Sequence, residues 1–348
     1  MQKPTLNSEP TSRREFLRRS AQGAALAGAG TYGLLGFPED AAAANAGGRT
    51  LDKAFDYDIS KLRQTDPKLI QFEETGNIAA GVKKLRAISV GMDDRVFVSG
   101  ERVIRVFDKA GTKLREISCN DNPRCLAVAA DGSVYAGVKD RVEVFDDAGK
   151  RKAQWDRAGK DAVLTSIAVT ENDVFVADAG GRIVLRYDRA GKLVKQIGKR
   201  DAARNIPGFI IPSPYFDLAV GRDGVLWVAN TGRHRLEAYT FDGEFELAWG
   251  EPSMGIKGFC GCCNPIHFAF MPDGRFVTAE KGLVRVKVYS AKGEFDCVVA
   301  GAESFPKHTV NPTAAAATID VAVDSAGRVL VADPLAGAVR IFTAKKKA

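Results

Sequence analysis

The sequence predicts an all-β fold, a six-bladed β-propeller of four-stranded antiparallel blades whose ring is closed by an N-terminal strand. Three observations carry the expectation: a strand pattern that recurs six times, Asp-Gly turn signals inside the copies, and 35 glycines in 348 residues. Many short strands need many turns, and glycine supplies the positive φ that tight turns require. The chain is 45% hydrophobic, too apolar for a disordered polymer, and has no run of about twenty apolar residues to cross a bilayer.

Taken in chain order, the first element is a leader. Ser12-Arg13-Arg14-Glu15-Phe16-Leu17 is followed by a Gly/Ala-rich stretch from Ala21 to Phe37 and then by Ala44-Asn45-Ala46. Arginines before Phe-Leu, a short and weakly apolar segment and small residues at the end resemble a bacterial twin-arginine signal peptide. The resemblance implies a leader over residues 1–46, cut after Ala46, with Arg13 and Arg14 as its recognition pair and export to the periplasm in a folded state. Once it is removed, no transmembrane anchor remains in the mature chain. The formal net charge is +7, and the leader holds five basic and four acidic residues, so the remainder is only modestly basic. Its charges alternate in sign, which makes nucleic acid a poor partner.

Residues 47–65 form a lead-in, and residues 66–343 the propeller. The copies read LRAISVGMDDRVFVSG from Leu85, RCLAVAADGSVYAGV from Arg124, TSIAVTENDVFVAD from Thr165, YFDLAVGRDGVLWVAN from Tyr215, IHFAFMPDGRFVTAE from Ile266 and IDVAVDSAGRVLVAD from Ile319. Asp131-Gly132, Asp223-Gly224 and Asp273-Gly274 read as two-residue hairpin turns between the first and second strands. Val142 and Val144 alternating with Arg141 and Glu143 mark a third strand with one buried face. Equivalent positions recur at about 40 residues and later at about 50, the spacing of one four-stranded sheet per repeat. The sixth copy stops after its third strand, and the segment from Leu69 to Ile78 is left over before the first. Pairing the two completes the last blade and removes an exposed edge. Residues 344–348 are a basic tail, and the propeller is expected to be monomeric.

Val176-Ala177-Asp178 before Gly180-Gly181-Arg182-Ile183, and Val228-Ala229-Asn230-Thr231-Gly232-Arg233-His234-Arg235-Leu236, resemble the repeat core of NHL propellers, as does Val331-Ala332-Asp333. The first two copies depart from it, with Ser99-Gly100 and Gly137-Val138 where the acidic residue would stand. The resemblance implies the fold and says little of function, since such propellers serve as sensors, scaffolds and enzymes.

Chemistry is expected in the channel and at its mouth. Aligning the innermost strands places Ala87, Cys125, Ser166, Asp217, His267 and Asp320 in one ring, because side chains two apart share a face. That ring reads either as a hydrated polar channel or as a ligand site. The loop before the fifth blade carries Cys260, Cys262 and Cys263 ahead of His267, and Cys119 with Cys125 frames a similar Asn-Pro loop before the second. Three readings of this set stand open, one of them a redox-active dithiol that meets a redox partner at the mouth. An exported protein favours disulfides between the Cys260–Cys263 loop and Cys119 or Cys125. The same thiols with His267 offer a thiolate-bound metal or an iron–sulfur cluster. Asp178, Asn230, Glu280 and Asp333 occupy equivalent turns and read as structural.

No catalytic elbow, phosphate loop or His-Glu-x-x-His is present, so the sequence favours a binding or scaffold propeller that takes a protein partner or small ligand at its mouth. The alternatives are a calcium-dependent lactonase-like hydrolase using Asp217 and Asp320, and a purely structural interaction propeller with disulfide-tied loops.

Overall fold

In the computed structural model, residues 60–203, 207–309 and 318–346 are described. Arg13, Arg14, Ala46 and most of the lead-in fall outside these residues. The first strand, β1 (Phe72–Ala79), precedes the repeats. Blade one comprises β2 (Ile88–Val90), β3 (Val96–Gly100), β4 (Val103–Phe107) and β5 (Lys113–Ser118), and blade two β6 (Pro123–Val128), β7 (Val134–Val138), β8 (Arg141–Phe145) and β9 (Arg151–Gln154). Blade three holds β10 (Leu164–Val169), β11 (Asp173–Asp178), β12 (Ile183–Asp188) and β13 (Leu193–Ile197). Blade four holds β14 (Leu218–Val220), β15 (Leu226–Asn230), β16 (Arg235–Tyr239) and β17 (Phe245–Trp249). Blade five is β18 (His267–Phe270), β19 (Phe276–Glu280), β20 (Arg285–Tyr289) and β21 (Phe295–Ala300). In the sixth sheet β22 (Asp320–Val323), β23 (Val329–Asp333) and β24 (Ala338–Ala344) are joined by β1, which pairs antiparallel with β24.

The six innermost strands neighbour one another in order, and β22 returns to β2. Each apolar cluster is shared by two adjacent sheets. Val98 and Phe107 of blade one meet Leu330 and Ile341 of blade six, Phe97 and Ile104 meet Val134 and Leu126, and Trp227 and Leu236 meet Phe268 and Phe276. Second strands are therefore buried on both faces, as β3, β7, β11, β15, β19 and β23 are along their whole length. Burial of each such Val, Leu or Phe contributes about 1.5–3 kcal/mol, which makes blade-on-blade packing the main adhesive.

The hairpin turns differ from the two-residue form that Asp-Gly suggests. Gly132 N–H donates to Ala129 O, Ala129 N–H donates to Ser133 O, and only the glycine of the pair has positive φ. This is a three-residue loop, a tight turn closed by a glycine in the left-handed region. The aspartate takes another role, Asp131 Oδ1 accepting from Ser133 N–H at 2.9 Å. Blades four and five repeat the device with Gly224 and Gly274.

Candidate functional site: the channel and its thiol-bearing mouth

A cavity of about 260 Å³ runs along the axis, lined from all six inner strands. Ala87, Cys125, Ser166, Asp217, His267 and Asp320 all line it. The ring follows from the two-residue period of the strands and needs no help from loops.

What these side chains do is specific. Ser166 Oγ donates to Leu218 O on the next blade at 3.2 Å. Asp217 Oδ1 accepts from its neighbour Leu218 N–H at 3.0 Å, and Oδ2 from Phe268 N–H on blade five at 2.8 Å. Asp320 repeats this, with Val321 N–H on Oδ1 at 2.7 Å and Ile88 N–H of blade one on Oδ2 at 3.0 Å. A polar residue at this register therefore reaches forward and holds the inner strand of the following blade. All four carboxylate oxygens are already engaged.

His267 joins the two aspartates, with Nδ1 3.3 Å from Asp320 Oδ1 and 3.6 Å from Asp217 Oδ2. Burial pulls the imidazole pKa down, but the Asp320 and Asp217 carboxylates outweigh it and raise it to about 9. Burial, reinforced by Asp217 and opposed by His267, raises the Asp320 carboxyl. The imidazole is thus a buried cation at neutral pH, suited to binding carboxylates and unsuited to taking up a proton. Cys125 packs against Gly137, where a Cβ would meet its sulfur, so the glycine that stands where blade three has Ala177 makes room for this thiol. Burial raises the Cys125 pKa further.

The long loop ahead of β18 is fixed from beneath by buried charges. Glu280 accepts from Cys260 N–H at 3.0 Å and pairs with Arg285 at 2.9 Å and Lys287 at 2.8 Å, all three essentially inaccessible to solvent. Lys287 Nζ also donates to Gly258 O at 2.6 Å, and Tyr289 OH to Lys257 O at 3.0 Å. Asn264 clamps the turn, donating to Cys260 O and Lys281 O and accepting from Lys281 N–H. The equivalent turn residues do the same elsewhere: Asp178 accepts from Val163 N–H, Asn230 from Ile210 N–H, and Asp333 meets His308 Nε2 at 2.9 Å. Each pins the loop that leads into its own blade, a structural task beyond the turn itself.

The cysteines separate into two groups: the loop thiols do not join Cys119 or Cys125, as the disulfide and cluster readings expected, and Cys297 is buried in β21. All six are free thiols. Cys119 packs with Ile104 and Ile117 in the cluster between blades one and two, because its loop leaves the outer strand β5 and is still inside the apolar layer there. Cys125 lies in the channel wall, and Cys260 faces the buried Glu280, which together with burial raises its pKa. The four thiols of an iron–sulfur cluster are not assembled, and among the described residues no three His, Cys, Asp or Glu side chains form a metal-holding group. Disulfides from the loop to Cys119 or Cys125 are likewise not formed.

Cys262 and Cys263 remain, with sulfurs 3.1 Å apart, the first exposed and the second buried. Ser213 Oγ donates to Cys263 Sγ at 3.1 Å, and Lys281 Nζ stands 3.5 Å from that hydroxyl and 4.7 Å above the Tyr215 ring. Burial alone would raise the Cys263 pKa, but Ser213, Cys262 and Lys281 together bring it below the ordinary thiol value. Ser213 and Lys281 were not evident as site residues in the sequence; the one signal was that Lys281 directly follows the pinning residue Glu280.

No protein-family model matches this sequence, and no curated protein does. Solved structures do. A streptogramin B lyase has a TM-score of 0.54 at 13% identity, covering 79% of this chain and 97% of its own. Virginiamycin B lyase from Staphylococcus aureus has 0.52 at 14%, covering 75% and 81%, and the WD40 propeller domain of Doa1 has 0.51 at 18%, covering 75% and 79%. What they share with it is the fold. At such identity the chemistry of this chain is argued from its own residues.

Proposed function

We propose that the protein is an exported binding propeller that holds a thiophilic metal ion or thiol-reactive group at its mouth through Cys262 and Cys263. The observation that carries this reading is the adjacent thiol pair, one member exposed and the other held by Ser213 beside the Lys281 ammonium. A thiolate is the nucleophile and the soft-metal ligand, and a neighbouring cation favours it. The aspartates of the channel are occupied by backbone N–H groups of adjoining blades, which supports binding over lactone hydrolysis. The paired arginines Arg13 and Arg14 and the NHL-like repeat core support an exported module of this kind.

Titration of the purified, reduced protein with cadmium(II) tests the reading. A sulfur-to-metal charge-transfer band should saturate near one equivalent and vanish in Cys262→Ser and Cys263→Ser, while Cys119→Ser behaves as the parent. An unchanged band in the two loop variants would overturn it.

A further inference from the structure

A second cavity, of about 320 Å³, opens beside blades one to three, and its wall carries Arg86, Arg124, Lys139 and Lys160 against Asp121 and Asp140. The two acids are spoken for: Asp121 pairs with Lys139 at 2.7 Å, and Asp140 with Arg141 and Arg157, neither of which lines the cavity. Arg86, Arg124 and Lys160 have no carboxylate partner among the described residues, and all three are exposed to solvent.

Register shows that this is a departure from the repeat. Arg86 and Arg124 each stand one residue before the channel ring. At the same place the other blades have Thr165, Phe216, Ile266 and Ile319, all buried between sheets. In blade two the ladder slips between Pro123 and Cys125, so that Arg124 occupies a bulge. In blade one the N–H groups of both Arg86 and Ala87 go to Ser99, to its carbonyl and its hydroxyl. Blade three slips at the same place, at Thr165, and keeps that short side chain buried, whereas the long charged arginines of blades one and two stand outside the packing layer and line one cavity. They are close enough to oppose each other: burial and the Arg124 charge both lower the Arg86 pKa.

We infer that this cavity binds the oxyanion group of a small molecule, a carboxylate or a phosphate, between Arg86, Arg124 and Lys160. Guanidinium forks match such groups with paired hydrogen bonds, and two unpaired cations sharing a cavity gain most from an anion between them. The volume lies in the range of small-molecule sites, about 300–1,000 Å³.

Calorimetric titration of the intact protein with citrate and, separately, with inorganic phosphate tests this and tells the two sources apart. At least one should bind. Arg86→Gln combined with Arg124→Gln should weaken it by about tenfold or more, with Arg124→Lys intermediate because it keeps the charge and loses the fork. Lys139→Gln, whose ammonium is already paired, should change affinity far less. Because both arginines are exposed, the double variant should melt no lower than the parent without ligand. Cys262→Ser should leave the anion affinity unchanged, so this site and the thiol site stand or fall separately. Absence of binding by both anions, or equal binding by the double variant, would overturn the inference.

Discussion

His267 and Asp320 meet inside the channel, Nδ1 to Oδ1 at 3.3 Å, and this one contact ties the inner strand of blade five to that of blade six. Since Asp320 also holds Ile88 N–H of blade one, the three blades on either side of the chain's return share a single electrostatic group.

That group makes stability depend on pH with a definite sign. His267 has its pKa raised from 6.5 to about 9 in the folded state. The folded protein therefore holds the proton more tightly, and the stabilisation is complete below about pH 6.5 and lost as pH rises through about 9. The raised Asp320 pKa acts in the same direction over its own range. From pH 6 to pH 10 the urea midpoint should fall by the equivalent of a few kcal/mol, at about 1.4 kcal/mol for each tenfold in proton affinity. His267→Gln should flatten the profile between these values. A variant with the parental slope would remove His267 from the account.

Glu280 is the keystone of the thiol loop, carrying Arg285, Lys287 and the Cys260 N–H on one buried carboxylate. Removing one partner of a buried ion group leaves the others uncompensated, at about 3–5 kcal/mol. Glu280→Gln should lose stability of that order in urea unfolding, and Cys260 should become reactive toward maleimide in the native protein. A loss below about 1 kcal/mol would mean that water reaches these charges.

The channel ring could be read from the sequence because strands have a fixed period and six copies could be aligned against one another. Ala87, Cys125, Ser166, Asp217, His267 and Asp320 accordingly all line one cavity. Loops have no such period. Cys119 and Cys260 stand before equivalent Asn-Pro turns, yet one is covered by Ile117 and the other by Glu280, and nothing local in the sequence separates these fates. Ser213 and Lys281 reach Cys263 from loops 50 residues away or on the far side of a hairpin, so their role exists only once blades four and five have packed. The stitching by Ser166, Asp217 and Asp320 was also hidden, because it joins side chains to the backbone of another repeat.

Thiol reactivity should divide the six cysteines sharply. Burial raises the pKa values of Cys119 and Cys297 to about 12, and Cys125 is raised further; Cys262 is also raised, by its contact with Cys263, but is exposed, and Cys263 is lowered. Mass spectrometry after brief alkylation of the native protein should find label first on the exposed Cys262 and more slowly on the buried Cys263, the other four appearing only after denaturation. Lys281→Met should slow labelling of Cys263 severalfold by removing the cation that favours its thiolate. Native labelling of Cys119 or Cys125 would contradict this division.

The pairing of β1 with β24 predicts that the segment before the repeats stabilises the whole propeller. Its register runs from Phe72 opposite Ala344 to Ala79 opposite Ala338, and Arg340 reaches across it to Glu74 at 2.6 Å while lying over the Phe305 and Phe342 rings. Ile78 is buried in the cluster shared by blades six and one, with Leu330 and Val96. Truncating such a side chain costs about 2–5 kcal/mol. If β1 clasps first and last repeats together, Ile78→Ala should lower the urea midpoint of the entire transition, seen alike by far-ultraviolet dichroism and by the fluorescence of Trp155 and Trp227 in other blades. A strand merely laid along an already stable ring would show less than about 0.5 kcal/mol, the range of surface changes, or a separate early transition of its own. The exposed Val194 on the outer strand of blade three gives the comparison, since its truncation should leave the midpoint where it was.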